Sequence, residues 1–286
     1  MDIKCIFSVD VEDWFHIQGL PNTPELSEWN LLSSRVETNF MELLDIFSQK
    51  NIQTTCFFLG WVAQRFPHLV REAKDRGHEI ASHGYSHKLV YEMSENEFLQ
   101  DVSKAKDVIE NISGNKVLGY RAPGFSITEN TPWFFDKLME GGYAYDSSVF
   151  PAPRASGGLK TEKYAPYVIR SNSNSIVEFP ITAIELFGKP LCFFGGGYLR
   201  LSPYFLIKKM CLKVIKEKRP VIFYIHPREI DPDQPRLAMC MQRRFNSYVN
   251  LRTTRNKIAK ILDQFEIITF DKFIKEYKIE KDCDKI

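Results

Sequence analysis

Residues 3–13 read IKCIFSVDVED. Ile3–Val9 is an almost unbroken apolar run, the pattern of a strand buried on both faces. Acids then follow at once, at Asp10, Glu12 and Asp13. A strand that runs straight into carboxylates is how β/α folds present reactive groups, at the carboxyl ends of their strands. The same grammar recurs. TTCFFL (54–59), HEIAS (78–82), VLGYRAP (117–123), YAYDSSVFP (143–151), PVIFYIHP (220–227) and FEIITF (265–270) read as further strands. Between them lie helical periods over 35–50 (Phe40, Leu43, Leu44, Phe47), 66–77, 96–114, 131–142, 202–218 and about 252–264. This repeated order predicts an α/β fold, a parallel sheet or barrel with helices outside. Residues 151–200 interrupt it. PAPRASGG, SNSNS and the start of FFGGGYLRL show no helical period and many turn residues, and predict an inserted arm of loops and short strands.

The chain has 286 residues, 44% hydrophobic and 26% charged, enough to bury a sizeable core. We read one domain over 1–286, with the arm inside it. A net charge of +2 gives no field that points to nucleic acid. The basic runs KEKR (216–219) and QRRF (242–245) read as solvated surface. Cysteines at 5, 56, 192, 211, 240 and 283 form no CxxC pair, and Cys5 and Cys56 sit in strand-like runs, which suits free thiols in a reducing compartment. The N-terminal stretch meets acids too early for a secretion signal, and no apolar run approaches the roughly 20 residues of a membrane helix. The expected location is the cytoplasm.

Five strand ends carry chemistry: Asp10-Val11-Glu12-Asp13, Ser82-His83-Gly84-Tyr85-Ser86-His87, Arg121-Ala122-Pro123-Gly124, Asp146-Ser147-Ser148 and His226-Pro227-Arg228-Glu229. Each has a bland reading: a turn or cap for the acids, a surface ion pair for Arg121, a satisfied core histidine for His226. Together they require five coincidences at one edge of a sheet. Two imidazoles and a carboxylate make a mononuclear divalent site that lowers the pKa of a water. A second carboxylate can serve as base and a further histidine as acid. GxSxG, the P-loop and GxGxxG are all absent, which removes serine-hydrolase, nucleotide and dinucleotide readings.

With DVEDWF at 10–15, SHGYSH at 82–87, RAPGF at 121–125 and HPREIDPDQPR at 226–236, the chain resembles the polysaccharide deacetylases of carbohydrate esterase family four. Within that family it is similar to the branch found among exopolysaccharide-synthesis genes. The resemblance covers about Ile3 to Phe270. It implies an irregular (β/α)7-type barrel and metal-dependent removal of N-acetyl groups from a sugar polymer or its precursor. It also implies roles: Asp10 as base, His83 and His87 as metal ligands, Arg121 holding the base, the backbone N–H near Gly124 or Phe125 on the oxyanion, and His226 as acid. The third metal ligand is Glu12 or Asp13. Side chains two apart on a strand share a face, which favours Glu12 beside Asp10, whereas a turn directly after Asp10 presents Asp13. Asp146 is the candidate for orienting His226, although YDSS matches the family motif poorly. Trp14, Phe15, Phe125 and Tyr198 are candidate sugar-stacking rings. Zinc is the expected ion, and cobalt, nickel and iron suit the same ligands. The expected partner is an N-acetylated oligo- or polysaccharide, met by a protein without an integral membrane segment but peripherally associated with exopolysaccharide machinery. The alternatives are metal-independent hydrolysis of a small cyclic amide, against which the histidine pair argues, and a non-catalytic carbohydrate-binding protein.

Overall fold

Strand β1 (Cys5–Val11) sorts its side chains by alternation. Phe7, Val9 and Val11 point into the large apolar cluster shared with the outer helices. Ile6, in the smaller inner cluster, starts the other face, which continues through Ser8 and Asp10. A computed structural model describes residues 3–20, 22–152, 157–277 and 279.

After β1 come α1 (Val36–Gln49), β2 (Thr55–Phe58), α2 (Gly60–Arg65), α3 (Pro67–Asp75) and β3 (Glu79–Ser82). Then follow α4 (Glu95–Ser113), β4 (Gly119–Tyr120), α5 (Phe134–Glu140) and β5 (Tyr145–Asp146). Two hairpins, β6 (Tyr167–Ser171) with β7 (Asn174–Glu178) and β8 (Ala183–Leu186) with β9 (Lys189–Cys192), precede α6 (Gly196–Leu201) and α7 (Tyr204–Lys216). The chain ends through β10 (Ile222–Ile225), α8 (Met241–Tyr248), α9 (Leu251–Gln264), β11 (Ile267–Ile268) and α10 (Phe270–Glu276).

The main sheet runs β10-β1-β2-β3-β4-β5-β7-β6, with β11 also on β1. Every pairing is parallel except β6 with β7. Past β7, the Thr182 hydroxyl accepts from the Ile222 N–H (2.8 Å) and donates to the Pro220 carbonyl (3.1 Å), so a side chain ties this segment to β10 and draws the curved sheet towards a barrel. The expected α/β barrel architecture is present, distorted and incompletely laddered.

Helix boundaries follow local chemistry. In α1, Phe40, Leu43, Leu44 and Phe47 are all buried. Ser94 and Glu97 cap the start of α4 reciprocally, and Gly114 ends it with φ 70°.

The stretch 151–200 differs from the expected arm. β6 and β7 extend the main sheet, β8 and β9 form a separate two-stranded sheet, and GGYLRL is helix α6. The pairing of β7 on β5 is non-local, so no local pattern could reveal it; residues 153–156 of that stretch lie outside those described. The short α2, α8 and α10 were also not anticipated from periodicity. Cys5 and Cys211 face each other as free thiols with sulfurs 3.8 Å apart, while Cys283 lies outside the described residues.

Candidate active site

The carboxyl ends of β1, β3, β4 and β10 converge on a cleft of about 420 Å³. Immediately after β1 the Glu12 N–H bonds back to the Asp10 carbonyl (3.0 Å), a tight bend that keeps both carboxylates on the cleft side. Glu12, His83 and His87 each offer a ligand atom, all within 4.8 Å of one another, and all three residues are buried. The Glu12 Oε2 atom contacts His87 Nε2 and lies 3.9 Å from His83 Nε2. Burial alone would push the Glu12 carboxyl up, but His87, His226 and His83 around it hold it below the usual carboxylate range. Burial pushes His83 down to about 3, so at neutral pH it is an uncharged imidazole with a lone pair to give.

Ring orientation is fixed from behind. His83 Nδ1 lies 2.7 Å from the Arg121 carbonyl, an acceptor that demands the proton on Nδ1 and leaves Nε2 as the ligand atom. His87 Nδ1 lies 2.9 Å from the Gln18 side-chain amide. The same Gln18 amide N–H group donates to the His87 carbonyl at 2.5 Å, so Gln18 fixes both the backbone and the ring edge of this residue. These residues therefore fit a divalent ion: two imidazole nitrogens and one carboxylate in a buried, oxygen-and-nitrogen site with room beside it.

The loop between the two histidines is pinned by Asp101. Its carboxylate accepts from the N–H of Tyr85 (2.8 Å) and Ser86 (3.0 Å) and from the Ser86 hydroxyl (2.5 Å). Gly84 must be glycine here: its φ is +72°, and an added Cβ would lie 2.9 Å from Asp101 Oδ2. His87 itself takes φ 55°, an uncommon conformation that this network enforces.

Asp10 sits behind the cluster. Its Oδ1 accepts from Arg121 Nη1 at 2.7 Å, and both groups are almost wholly buried. Arg121 also donates to the Ser8 hydroxyl (2.8 Å) and to the Ser147 carbonyl and hydroxyl (3.2 Å each), and it stacks 4.2 Å over the Phe57 ring. The guanidinium is thus locked before it meets the acid. His226, from the end of β10, places Nε2 3.3 Å from Glu12 Oε1 and 3.9 Å from Asp10 Oδ2. Burial lowers His226 to about 4 against the raising pull of Glu12.

Several expected residues stand elsewhere. Asp13 is no ligand: it caps the turn Trp14–His16 and accepts from the Ser34 hydroxyl (2.5 Å) and the N–H of Trp14 (2.9 Å) and Arg35 (3.1 Å). Trp14 is buried in the core with its indole N–H on the Ser33 carbonyl (2.9 Å), so it cannot stack on a sugar. Asp146 does not reach His226. It binds the Ser148 hydroxyl (2.6 Å) and N–H (3.1 Å) and pairs with Glu178, and burial raises both of these carboxyls. The acid beside His226 is Glu229, whose Oε1 lies 3.2 Å from Nδ1. It was legible in HPRE, three residues on, because the turn Pro227–Ile230 folds it back. Glu229 is in turn held by the buried Arg200 of α6. An added Cβ on Gly196 would collide with this carboxylate, which accounts for a glycine in FFGGG. Gly124, Phe125 and Tyr198 do line the cleft. The Phe125 N–H is already donated to the Ala122 carbonyl (3.0 Å), so Gly124 is left as the oxyanion candidate of the pair. His16 was not anticipated: buried on the cleft wall, it accepts the Asp13 N–H on Nδ1 (2.9 Å), which puts its own proton on Nε2.

Comparison with known proteins adds a family. Residues 32–139 match the model described as polysaccharide deacetylase, and residues 147–275 match a domain of unknown function (DUF3473). The chain is 25% identical to a peptidoglycan deacetylase of Helicobacter pylori over 194 residues, 66% of this chain and 61% of that protein. It is 32% identical to a peptidoglycan-N-acetylglucosamine deacetylase of Bacillus cereus over 89 residues, 31% of this chain and 32% of that one. The chain thus spans less than two thirds of the length of either relative. A Mycobacterium smegmatis crystal structure assigned to the polysaccharide deacetylases shares the fold, with TM-score 0.65 and 17% identity over 97% of this chain and 93% of that one. Residues 32–139 are thus similar to the polysaccharide deacetylases, and residues 147–275, the domain of unknown function, complete the same sheet and the same cleft.

Proposed function

We propose that the chain is a metal-dependent hydrolase that removes N-acetyl groups from an amino-sugar polymer or its precursor. The observation that carries this reading is the buried Glu12–His83–His87 cluster beside an independent acid–guanidinium pair, Asp10–Arg121. Glu12, His83 and His87 hold one divalent ion, zinc by the generic preference of this ligand set, with cobalt, nickel or iron equally suited. When bound, such an ion supplies Lewis acidity to a water and to the acetamide carbonyl.

The remaining work falls to side chains. Asp10, held in place by Arg121, takes the proton of the attacking water. The Gly124 N–H stabilises the developing oxyanion. His226, neutral at rest and 3.9 Å from Asp10 Oδ2, passes the proton that Asp10 takes from the water to the departing amine, with Glu229 on its Nδ1 to stabilise the imidazolium formed in that relay. Tyr198 offers a ring face to the sugar, while the buried Phe125 only borders the cleft.

We further propose that the reaction takes place in the cytoplasm at a membrane surface, on material destined for exopolysaccharide. Among the described residues no helix is long and apolar enough to cross a membrane. One face of α7 does expose Phe205 and Leu212 among Lys208, Lys209, Lys213 and Lys216, and Phe187 stands fully exposed on the nearby β8–β9 hairpin. Apolar rings among lysines suit an anionic lipid surface.

The test of the activity is acetate release from N-acetylglucosamine oligomers before and after chelation. Release that stops on chelation and returns with zinc supports the reading. Release indifferent to chelation overturns it.

A further inference from the structure

Three arginines line the cleft: Arg200 from α6, Arg228 from the turn after β10 and Arg243 from α8. All three lie in the segment of unknown function. A guanidinium withdrawn from water is costly unless its donors are satisfied. Arg200 meets most of that demand through Glu229 and the Asn246 carbonyl, to which Nη2 donates at 2.5 Å, and leaves only its Nε without a partner among the described residues. Arg228 does not. Its Nε and Nη1 are shut off from solvent with no hydrogen-bond partner among the described residues, and its Nη2 is 3.8 Å from Glu229 Oε1, too far for a hydrogen bond. Arg243 gives Nη2 to the Gln18 carbonyl at 2.7 Å and leaves a buried Nε without a partner.

Charge leads to the same place. Arg121 answers Asp10, Arg200 answers Glu229, and Glu12 belongs with the two imidazoles of the metal cluster. That leaves Arg228 on the cleft wall with only a 3.8 Å share of Glu229, which Arg200 already holds, and Arg243 there with no carboxylate among its described partners; burial disfavours the Arg228 charge first, Glu12 supports it and Arg243 opposes it. A divalent ion would add positive charge to this surplus. Two like charges held together, with unspent donors, are the arrangement that an incoming anion relieves, and the planar fork of arginine suits carboxylate or phosphate oxygens.

We propose that Arg228 and Arg243 form an anion subsite, which takes a carboxylate or phosphate carried by the substrate sugar adjacent to the acetamide that is hydrolysed. This rests on the deacetylase reading and gives the segment of unknown function a task, the selection of an acidic amino-sugar substrate.

The test is calorimetric binding to the zinc-loaded protein, with three probes. A hyaluronan tetrasaccharide carries carboxylates beside N-acetylglucosamine, N-acetylglucosamine 1-phosphate carries a phosphate, and chitin tetraose is neutral. The expected result is that one anionic probe binds at least tenfold more tightly than the neutral one, and which of the two does so identifies the anion. Arg243→Gln, at a partly exposed position on the surface of the cleft, should remove most of that preference. Arg228→Gln should do the same, and Arg228→Lys should restore only part of it. Equal binding of charged and neutral probes, or a preference that survives both glutamine variants, overturns the subsite. Because binding is read without turnover, the two proposals separate. A preference for an anion with no acetate released from any probe supports the subsite and sinks the deacetylase reading. Acetate release from chitin tetraose with no anion preference does the reverse.

Discussion

Replacing Arg121 by methionine strips a buried carboxylate of its counter-ion while keeping the length of the side chain. Asp10 is 1% exposed and Arg121 0%, so water cannot take over the lost contact. Breaking a buried pair from one side costs about 3–5 kcal/mol, because the remaining charge stays uncompensated. For a chain of this size about 1 kcal/mol corresponds to roughly 2 °C in Tm, so Arg121→Met should lower Tm by roughly 6–10 °C. Asp10→Asn should destabilise for the mirror-image reason, since it leaves a buried guanidinium. In the double variant neither charge remains, and its cost should fall short of the two single costs added together by about 2 kcal/mol or more. Urea denaturation of the four proteins measures this coupling. Additive single costs would refute the account of Arg121 as the counter-ion that compensates the buried Asp10.

Other outcomes follow from positions around the site. His78 is buried, accepts the Thr54 N–H on Nδ1 at 3.1 Å, and is pushed down to about 4, first by burial and then by the charge of Arg76. An unfolded histidine titrates near 6.5, so the unfolded chain binds the proton first. Stability is therefore full above about pH 6.5 and declines by roughly 3 kcal/mol as pH falls to about 4. His78→Gln should make that part of the stability–pH curve shallower by roughly 3 kcal/mol, the other buried histidines keeping the rest of the slope, and an unchanged curve contradicts the assignment. Gly84→Ala forces a side chain into a left-handed backbone against Asp101, at a cost of about 1–2 kcal/mol. Zinc affinity should fall about tenfold with it, as metal titration would reveal, because the same loop carries both histidines; an unaltered affinity would mean the loop tolerates the strain.

Much of this arrangement was open to reading because β1 is regular. An alternating strand places Asp10 and the residue two beyond it on one side, and the tight bend at Glu12 preserves that relation. His83 and His87 were equally visible, since a glycine between them permits the turn that brings both rings to one carboxylate. What escaped depended on contacts distant in sequence or on local geometry with two solutions. Asp13 and Glu12 are adjacent, and only the capping of the following turn decides which one faces the cleft. The family resemblance implies Asp146, in YDSS, as the residue that orients His226, yet its neighbour in space is Glu178, brought over by the β7–β5 pairing. The two arginines of the proposed anion subsite sit on separate elements, and no spacing rule links them. QRRF, which contains Arg243, read as solvated surface; the described side chain reaches Gln18 on the cleft wall instead.

The most direct test of the central claim is elemental analysis of purified wild type and His83→Ala, prepared side by side after loading with zinc and removal of excess. The account predicts one equivalent of metal in the wild type and less than a tenth of that in the variant, whose fold should persist because Arg121 and Asp10 remain paired. No metal in the wild type, or equal metal in both proteins, would contradict the assignment of Glu12, His83 and His87 as the metal site.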